Sequence, residues 1–488
     1  MKAKHVLYFV LGVIGILGII MFIFPKDGIR LNDEWVLYFP TFEEMFLEDD
    51  SPVVNTDSIV KNQVNIDSLV PLDDTTKEID LEEIKKLVTP MEYPEDKPEA
   101  LDDFFAKLTN LDEEQKVRIM HYGDSQIEGD RITAFVRNKV QGRYGGFGMG
   151  LCSPVAVYSQ FSIKQEDSGN WYRYTGFGAI DQSMGHEKYG PMIAFNRFAP
   201  LTDSSWTQPE SAYSGWLSFT KSDIGYGNTR KFKEIYVYYG NAKAKSKITI
   251  SSDDVVLVTD SLQAGDSLFV FKYTSNDYIE NVKFEFEGYD SPDFYAISFE
   301  DQTGVYIDNI ALRGSSGTVF TTTDGKLLSE SFAYLGTDLF ILQFGGNSVP
   351  YIEDKKAAEQ FGNYFYYQLA YLKSAVPEVN IIVIGPSDMS VKVKDEFETY
   401  PNLENIIEEI KKATHKAGGV YWDMYKAMGG YNSMNAWVNA DPPLAGTDYT
   451  HFTPYGTSII SNMFYNAFIL EVTSYTERIK NEKVEEVE

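Results

Sequence analysis

Ser125 lies in Gly123-Asp124-Ser125-Gln126, directly after the stretch Arg118–Tyr122 and just before a helix start. A serine at the tip of a strand is presented rather than buried. A hydroxyl alone is a poor nucleophile, so a base must reach it. The candidate base lies far downstream in "AGTDYTHFTPYG", where Asp448 and His451 stand three residues apart just before a helix. A loop of that length can set the carboxylate on one ring nitrogen and aim the other at Ser125, the division of roles that serine hydrolysis needs. Donors for the developing oxyanion are also required. The candidates are the Ser125 amide, the Gly314 amide and the Asn347 side chain, the latter two each following a predicted strand.

Residues so far apart in sequence can meet only if the elements that carry them share one edge. "VRIMHY", "VYIDNIALRGSSG", "TDLFILQFGGN", "VNIIVIGPSD" and "GVYWD" read as strands. Between them run helical stretches, among them "RITAFVRNKVQGRY", "EDKKAAEQFGNYFYYQLAYLKSA" and "NLENIIEEIKKATHKAG", and the chain closes on "TPYGTSIISNMFYNAFILEVTSY". Alternating strands and helices predict an α/β fold, and parallel sheets place their sites beyond the carboxyl ends of the strands. From about Ser153 to Gln302 the pattern changes. "KEIYVYYG", "SKITISS", "SLFVFKY", "NVKFEFEGY" and "DFYAISFE" alternate strictly and are separated by Gly, Asn, Asp and Ser, which predicts a β-sandwich or jelly roll.

The chain carries 43 Lys+Arg against 72 Asp+Glu, a formal charge of −29. That balance excludes nucleic acid as a partner, because phosphate binding needs a basic face. Cys152 is the one cysteine, so no intrachain disulfide is possible. With five histidines and no ligand cluster, no metal or cofactor is expected. Val6–Phe24 is 19 residues without a charge, long enough to span a bilayer. Lys2 and Lys4 precede it, which puts the N-terminus in the cytoplasm and the rest outside. A long cleaved leader is the alternative, and either one exports the catalytic region. Across 41–100 there are 17 Asp/Glu against five Lys, broken by prolines, which reads as a flexible tether.

The set "GDSQ", "NIALRGSSG", "FGGN" and "DYTH" resembles the four blocks of the SGNH (GDSL-type) hydrolases, over Val117–Gly150 and about Val305–Tyr475. The resemblance implies a three-layer α/β/α sandwich with a parallel sheet. It implies Ser125 as nucleophile, His451 as base oriented by Asp448, and Gly314 and Asn347 in the oxyanion hole. Two positions depart from the family pattern: Gln126 stands where Leu is frequent, and Ser348 where Asp follows the block Asn. An inserted β-sandwich is similar to the arrangement in peptidoglycan O-acetylesterases, where it resembles a carbohydrate-binding module. Trp171, Tyr172, Tyr174, Trp206 and Trp216 are its candidate sugar-facing rings, with the sandwich core as the other place for them.

The expected organisation is an anchor over 1–25, an acidic linker over 26–98, hydrolase segments over 99–152 and 303–478, the inserted β domain over 153–302, and a charged tail over 479–488. The expected function is an extracytoplasmic serine esterase removing acyl groups, O-acetyl foremost, from a polysaccharide of the cell envelope. The alternatives are a glycan O-acetyltransferase served by a membrane acyl-transfer partner, and a catalytically dead glycan-binding protein. Several other residues have local readings. His121 hydrogen-bonds locally, Asp124 ties down the serine turn, Asp388 lines the pocket or stands apart from it, and Cys152 is a small buried residue. His186 and His415 have no chemical partner nearby in sequence.

Overall fold

The computed structural model describes residues 3–25, 29–30, 36–37, 39, 54–70, 80–112, 115–181, 183–203, 205–394 and 396–485. It divides into two compact units, Met1–Val53 and Val54–Glu488. The first holds helix α1 (Ala3–Ile23). Its Lys4–Ile23 stretch is long and apolar enough to cross a membrane, with a mean hydropathy of 2.9. Phe9, Ile16 and Ile19 are exposed on it, a surface suited to lipid rather than water.

The second unit opens with four short helices, α2 (Thr56–Lys61), α3 (Ile66–Leu69), α4 (Leu81–Lys85) and α5 (Asp102–Thr109). Here the expected tether is corrected over its described residues from Val54 onward. Ile66, Val70, Ile84, Val88 and Met91 are buried in the main hydrophobic cluster. Glu92 exchanges backbone hydrogen bonds with Tyr421. The acidic composition hides a row of apolar anchors, and burying them offsets the cost of ordering the segment. Residues 71–79 and most of 26–53 lie outside the described residues.

The chain then forms strand β1 (Lys116–Gly123), helix α6 (Arg131–Tyr144) and strand β2 (Gly150–Cys152). Ten antiparallel strands come next: β3 (Ile163–Asp167), β4 (Tyr172–Thr175), β5 (Ala194–Arg197), β6 (Tyr213–Lys221), β7 (Phe232–Gly240), β8 (Ser246–Ser252), β9 (Val255–Leu262), β10 (Phe269–Ile279), β11 (Asn281–Gly288) and β12 (Asp293–Glu300). Alternation of helix and strand then resumes: β13 (Gly304–Ala311), α7 (Gly325–Leu335), β14 (Thr337–Gln343), α8 (Lys355–Ala375), β15 (Asn380–Ile384), the hairpin β16 (Ser390–Val393) and β17 (Glu396–Thr399), α9 (Leu403–Lys416), β18 (Val420–Trp422), α10 (Met424–Met428), α11 (Ser433–Val438) and α12 (Pro454–Glu485).

The parallel sheet has the order β13-β1-β14-β15-β18. Successive side chains of a strand point to opposite faces. Val117, Ile119, Leu339, Ile341, Ile382 and Ile384 therefore face one way, onto α6 and α12. Met120, Tyr122, Phe340, Leu342, Ile381 and Val383 face the other way, onto α7, α8 and α9. The result is the three-layer α/β/α sandwich.

The insert is a β-sandwich of two sheets, β9-β8-β11-β6-β3 and β10-β7-β12-β5-β4, with β2 added beside β12. Leu217, Phe219, Phe284, Phe286, Ile235 and Val237 fill the space between them. The outer face of the second sheet is also covered. Phe195, Tyr238 and Tyr295 belong to the same buried cluster as α7 and α8. That is why all of β12 is buried. The insert is thus not a free module but shares a core with the parallel sheet.

Charge seals that seam. Arg118 donates to Asp308 Oδ1 and Oδ2 at 2.9 and 2.8 Å and to Glu300. Lys116 reaches Glu300 at 2.8 Å and Glu234 at 2.7 Å. Burial penalises the Glu300 charge, yet Arg118 and Lys116 outweigh it and hold the carboxyl at about 2.

Candidate active site

The register of the parallel sheet brings the site together. Gly123 pairs with Ala311 on one side and with Gln343 on the other. Gln343 pairs with Ile384, and Ile384 with Trp422. The five strands therefore end on one row. The first strand in sequence lies between the second and third, so the order reverses between β1 and β14. Ligands of open α/β sheets bind outside the carboxyl ends at such a switch point. Ser125 follows β1 and Asn347 follows β14.

Gly123 makes the sharp exit from β1 possible. A Cβ there would stand 2.9 Å from Ile127 Cδ1 and 3.1 Å from the Gln343 carbonyl. Asp124 then caps the short helical turn Ser125–Asp130, its Oδ1 accepting from the Gln126 amide at 2.9 Å. Arg131 donates to the Ser125 carbonyl from below. Burial pushes the Asp124 carboxyl up to about 6, against the Gln126 amide, the His451 and Arg131 charges and the Asn347 amide.

His451 Nδ1 donates to Asp448 Oδ2 at 2.8 Å. That leaves Nε2 as the acceptor, and it lies 2.8 Å from Ser125 Oγ. Asp448 Oδ1 accepts from the Thr450 and His451 amides at 3.1 and 3.0 Å, so the three-residue spacing closes on itself. Partial burial opposes the Asp448 charge, but the His451 amide and ring and the Thr450 amide outweigh it. The carboxyl sits below its ordinary value. Serine, imidazole and carboxylate form a continuous hydrogen-bonded chain, with the carboxylate end open to water.

Asn347 reaches the same place from β14. Its Nδ2 donates to Asp124 Oδ2 at 3.2 Å and to the Ser315 carbonyl at 3.0 Å. The Asn347 amide nitrogen is therefore already engaged with two acceptors. Gly314 lies in the exposed loop after β13, at φ +77. It is its neighbour Ser315 that touches the site, through that carbonyl.

Three contacts were invisible in the sequence. Gln126 Nε2 donates to the Thr450 carbonyl at 2.7 Å, tying the serine turn to the histidine loop. Tyr449, held at φ +53, stacks on Phe397 of β17 with ring centroids 3.6 Å apart and planes within 7°. Ser390 of β16 donates its amide to the Tyr449 carbonyl at 3.2 Å. The β16–β17 hairpin thus clamps the loop that carries Asp448 and His451. Gln126 was legible only as a departure from a family pattern, and Phe397 carried no signal at all.

The remaining candidates fall elsewhere. Asp388 is buried, accepting from Thr399 Oγ1 at 2.8 Å and the Met434 amide at 2.7 Å; burial pushes its carboxyl up to about 6. Its neighbours Ser387 and Met389 line the cleft instead. His121 is buried against Thr133 at 3.0 Å, and burial pushes its imidazole down to about 3. Cys152 is buried, its thiol pushed up by desolvation. His186 meets Asn241 at 2.9 Å within the insert, and His415 meets the Glu92 carbonyl at 3.1 Å. Trp171 packs edge-on against Phe198, Phe286 and Phe294, and Tyr174 stacks on Phe195 at 5.0 Å, so both serve the core. Tyr172 is exposed, and Trp206 and Trp216 are partly so.

The cleft over Ser125 has a volume of about 160 Å³. Gln343, Phe344, Pro350, Pro386, Met389 and Met424 line it with Ser125 and His451. Among the described residues no group of His, Cys, Asp and Glu is placed to hold a metal ion.

A serine relay at the switch point of a parallel sheet, with a β-sandwich spliced in after the first strand and helix, defines the architecture. The chain's fold is similar to that of a solved peptidoglycan O-acetylesterase, at a TM-score of 0.59 and 18% identity over 78% of this chain and 99% of that one. An acetyl xylan esterase aligns at a TM-score of 0.27 and 15% identity, over 33% of this chain and 81% of that one. A salicylyl-acyltransferase from a tetracycline biosynthetic pathway aligns at 0.24 and 11%, over 51% and 80%. The first likeness carries the fold; the other two scores are too low to carry an argument. No family model matches the sequence, and no curated protein matches it.

Proposed function

We propose that the chain is a serine esterase that removes O-acetyl groups from a polysaccharide of the cell envelope, held at the membrane by α1 with its catalytic unit outside the cytoplasm. The observation that carries the esterase reading is the relay, with 2.8 Å on either side of the His451 ring. In this reading His451 Nε2 takes the Ser125 proton as Oγ attacks the acetyl carbonyl. The Ser125 amide and Asn347 are the donors to the tetrahedral oxyanion in this reading, and Gly314, whose loop stands exposed, is set aside as the third. The sugar hydroxyl leaves with the proton from His451. Water, deprotonated by the same ring, then releases acetate and restores Ser125. Asp448 keeps the imidazole in the tautomer that this sequence of transfers needs. The glycan substrate is supported by the fold shared with the peptidoglycan O-acetylesterase, and the membrane anchor by the length and hydropathy of Lys4–Ile23.

The test is covalent trapping of the full-length protein in detergent with a fluorophosphonate, and then peptide mapping. One adduct on Ser125, lost in His451→Ala, together with acetate release from O-acetylated peptidoglycan that ends in Ser125→Ala, is expected. A folded protein that takes no adduct and releases no acetate overturns the reading.

A further inference from the structure

Tyr351 ends the helical turn Gly346–Tyr351, so the turn that carries Asn347 also carries this ring. It lines the Ser125 cleft. It is also 82% exposed, more than any other large hydrophobic side chain among the described residues, including those of α1. No ring, cation or hydrogen-bonding group among the described residues partners it. An aromatic ring held bare in water forgoes a large burial gain. Here it does so at the mouth of the cleft, on a turn stiffened by Pro350.

The size of the cleft says what meets that ring. At about 160 Å³ the cleft is smaller than the roughly 300–1,000 Å³ of pockets that enclose a whole small molecule. It admits the acyl end of an ester and leaves the alcohol part at the mouth. Pro350, Pro386, Met389 and Phe344 make its wall apolar, as an acetyl methyl requires. Of the insert's candidate rings, Trp171 and Tyr174 are committed to packing. The bare ring beside the relay comes from the parallel-sheet unit instead.

We propose that Tyr351 is a specificity-determining platform. Its ring packs against the apolar C–H face of the sugar that bears the ester and holds the acyl group over Ser125. The occupant is a pyranose ring of a glycan, and the inference rests on the esterase reading above. Its contribution is to binding of the sugar and not to the proton transfers, so it separates glycan esters from small esters.

The experiment compares the full-length protein with Tyr351→Ala and Tyr351→Trp in two ways. In the first, hydrolysis of O-acetylated peptidoglycan fragments is measured beside hydrolysis of 4-nitrophenyl acetate. The ratio of the two kcat/KM values is expected to fall about tenfold in Tyr351→Ala, mainly through KM for the glycan, and to recover in Tyr351→Trp. An equal fall on both substrates, or no fall, overturns the proposal. In the second, calorimetry measures binding of the same fragments to Ser125→Ala with and without Tyr351→Ala. Weaker binding by about tenfold in the double variant is expected even if the parent protein shows no turnover. That outcome would keep the platform and remove the esterase. Equal binding by both proteins, or none by either, overturns the platform.

Discussion

Two regions of this molecule hold charged and polar side chains toward opposite ends of the same strand and use them in opposite ways. At the seam between the parallel sheet and the β-sandwich, Arg118 has Asp308, Glu300 and the Leu335 carbonyl as partners, and its guanidinium is buried. At the carboxyl edge of the same strand, His451 is about one-third exposed and Asp448 more than half. The Gln343 side chain that lines the cleft is buried. A buried charge with all its partners resists change, because losing one partner strands the other. A hydroxyl hydrogen-bonded to an imidazole that a carboxylate orients can give its proton to the ring. The length of β1, Lys116–Gly123, separates the two behaviours.

The contrast breaks most visibly at the relay. Asp448→Asn should lower kcat by up to about 10⁴-fold, because the amide favours the wrong imidazole tautomer. Melting should barely move, since the carboxylate is exposed; steady-state kinetics beside calorimetry checks both. The reverse holds at the seam. Arg118→Met leaves Asp308 buried without its cation and Glu300 with Lys116 alone, and should cost about 3–5 kcal/mol, read from denaturant midpoints. Replacing all three by apolar residues should recover much of that loss, whereas no such replacement rescues the relay.

Glu471 sharpens the comparison by removing the arginine. This carboxyl of α12 is largely buried; burial pushes it up to about 7, against a Tyr93 hydroxyl and a Met91 amide. The folded value lies above the unfolded one. Below about pH 4.5 the group is protonated in both states and costs nothing. As pH rises toward 7 the unfolded chain ionises first, and stability falls by roughly 3 kcal/mol in total. Glu471→Gln should therefore stabilise the protein at pH 8 and leave it almost unchanged at pH 4, measured by chemical unfolding at both. The smallest effect is expected at the clamp. Phe397→Ala frees Tyr449 and should lower kcat about tenfold with little change in KM, with recovery in Phe397→Tyr. A fall in melting temperature with kcat intact would make the stack a packing contact only.

Much of the fold is legible in the sequence. Strands β1, β13, β14 and β15 are short runs in which apolar residues recur, each ending on a Gly or followed by one within three residues. Alternation in "NVKFEFEGY" marks a strand with one buried face, as β11 is. The Asp448–His451 hydrogen bond is local, so its spacing could be read directly. Other features rest on contacts between distant elements. The acidic stretch after Val54 looked like a tether because charge dominates its composition, while the few apolar residues that dock it are spread thinly. Trp171 looked like a sugar platform because composition cannot say which side of a sheet a ring faces. Tyr351 drew no notice, because exposure is not written in a sequence.

By itself the sequence determined the alternation of strands and helices, the all-β insert, the apolar N-terminal helix and the local spacing of Asp448 and His451. These arise from periodicity and short spacing, which local backbone geometry enforces. Only the tertiary structure decided that five strand ends form one row, that the insert shares a core with the sheet it interrupts, that a distant hairpin steadies the histidine loop, and that one tyrosine stands bare beside the nucleophile. Each of these depends on which surfaces meet across hundreds of residues, and burial and hydrogen-bond pairing select that globally.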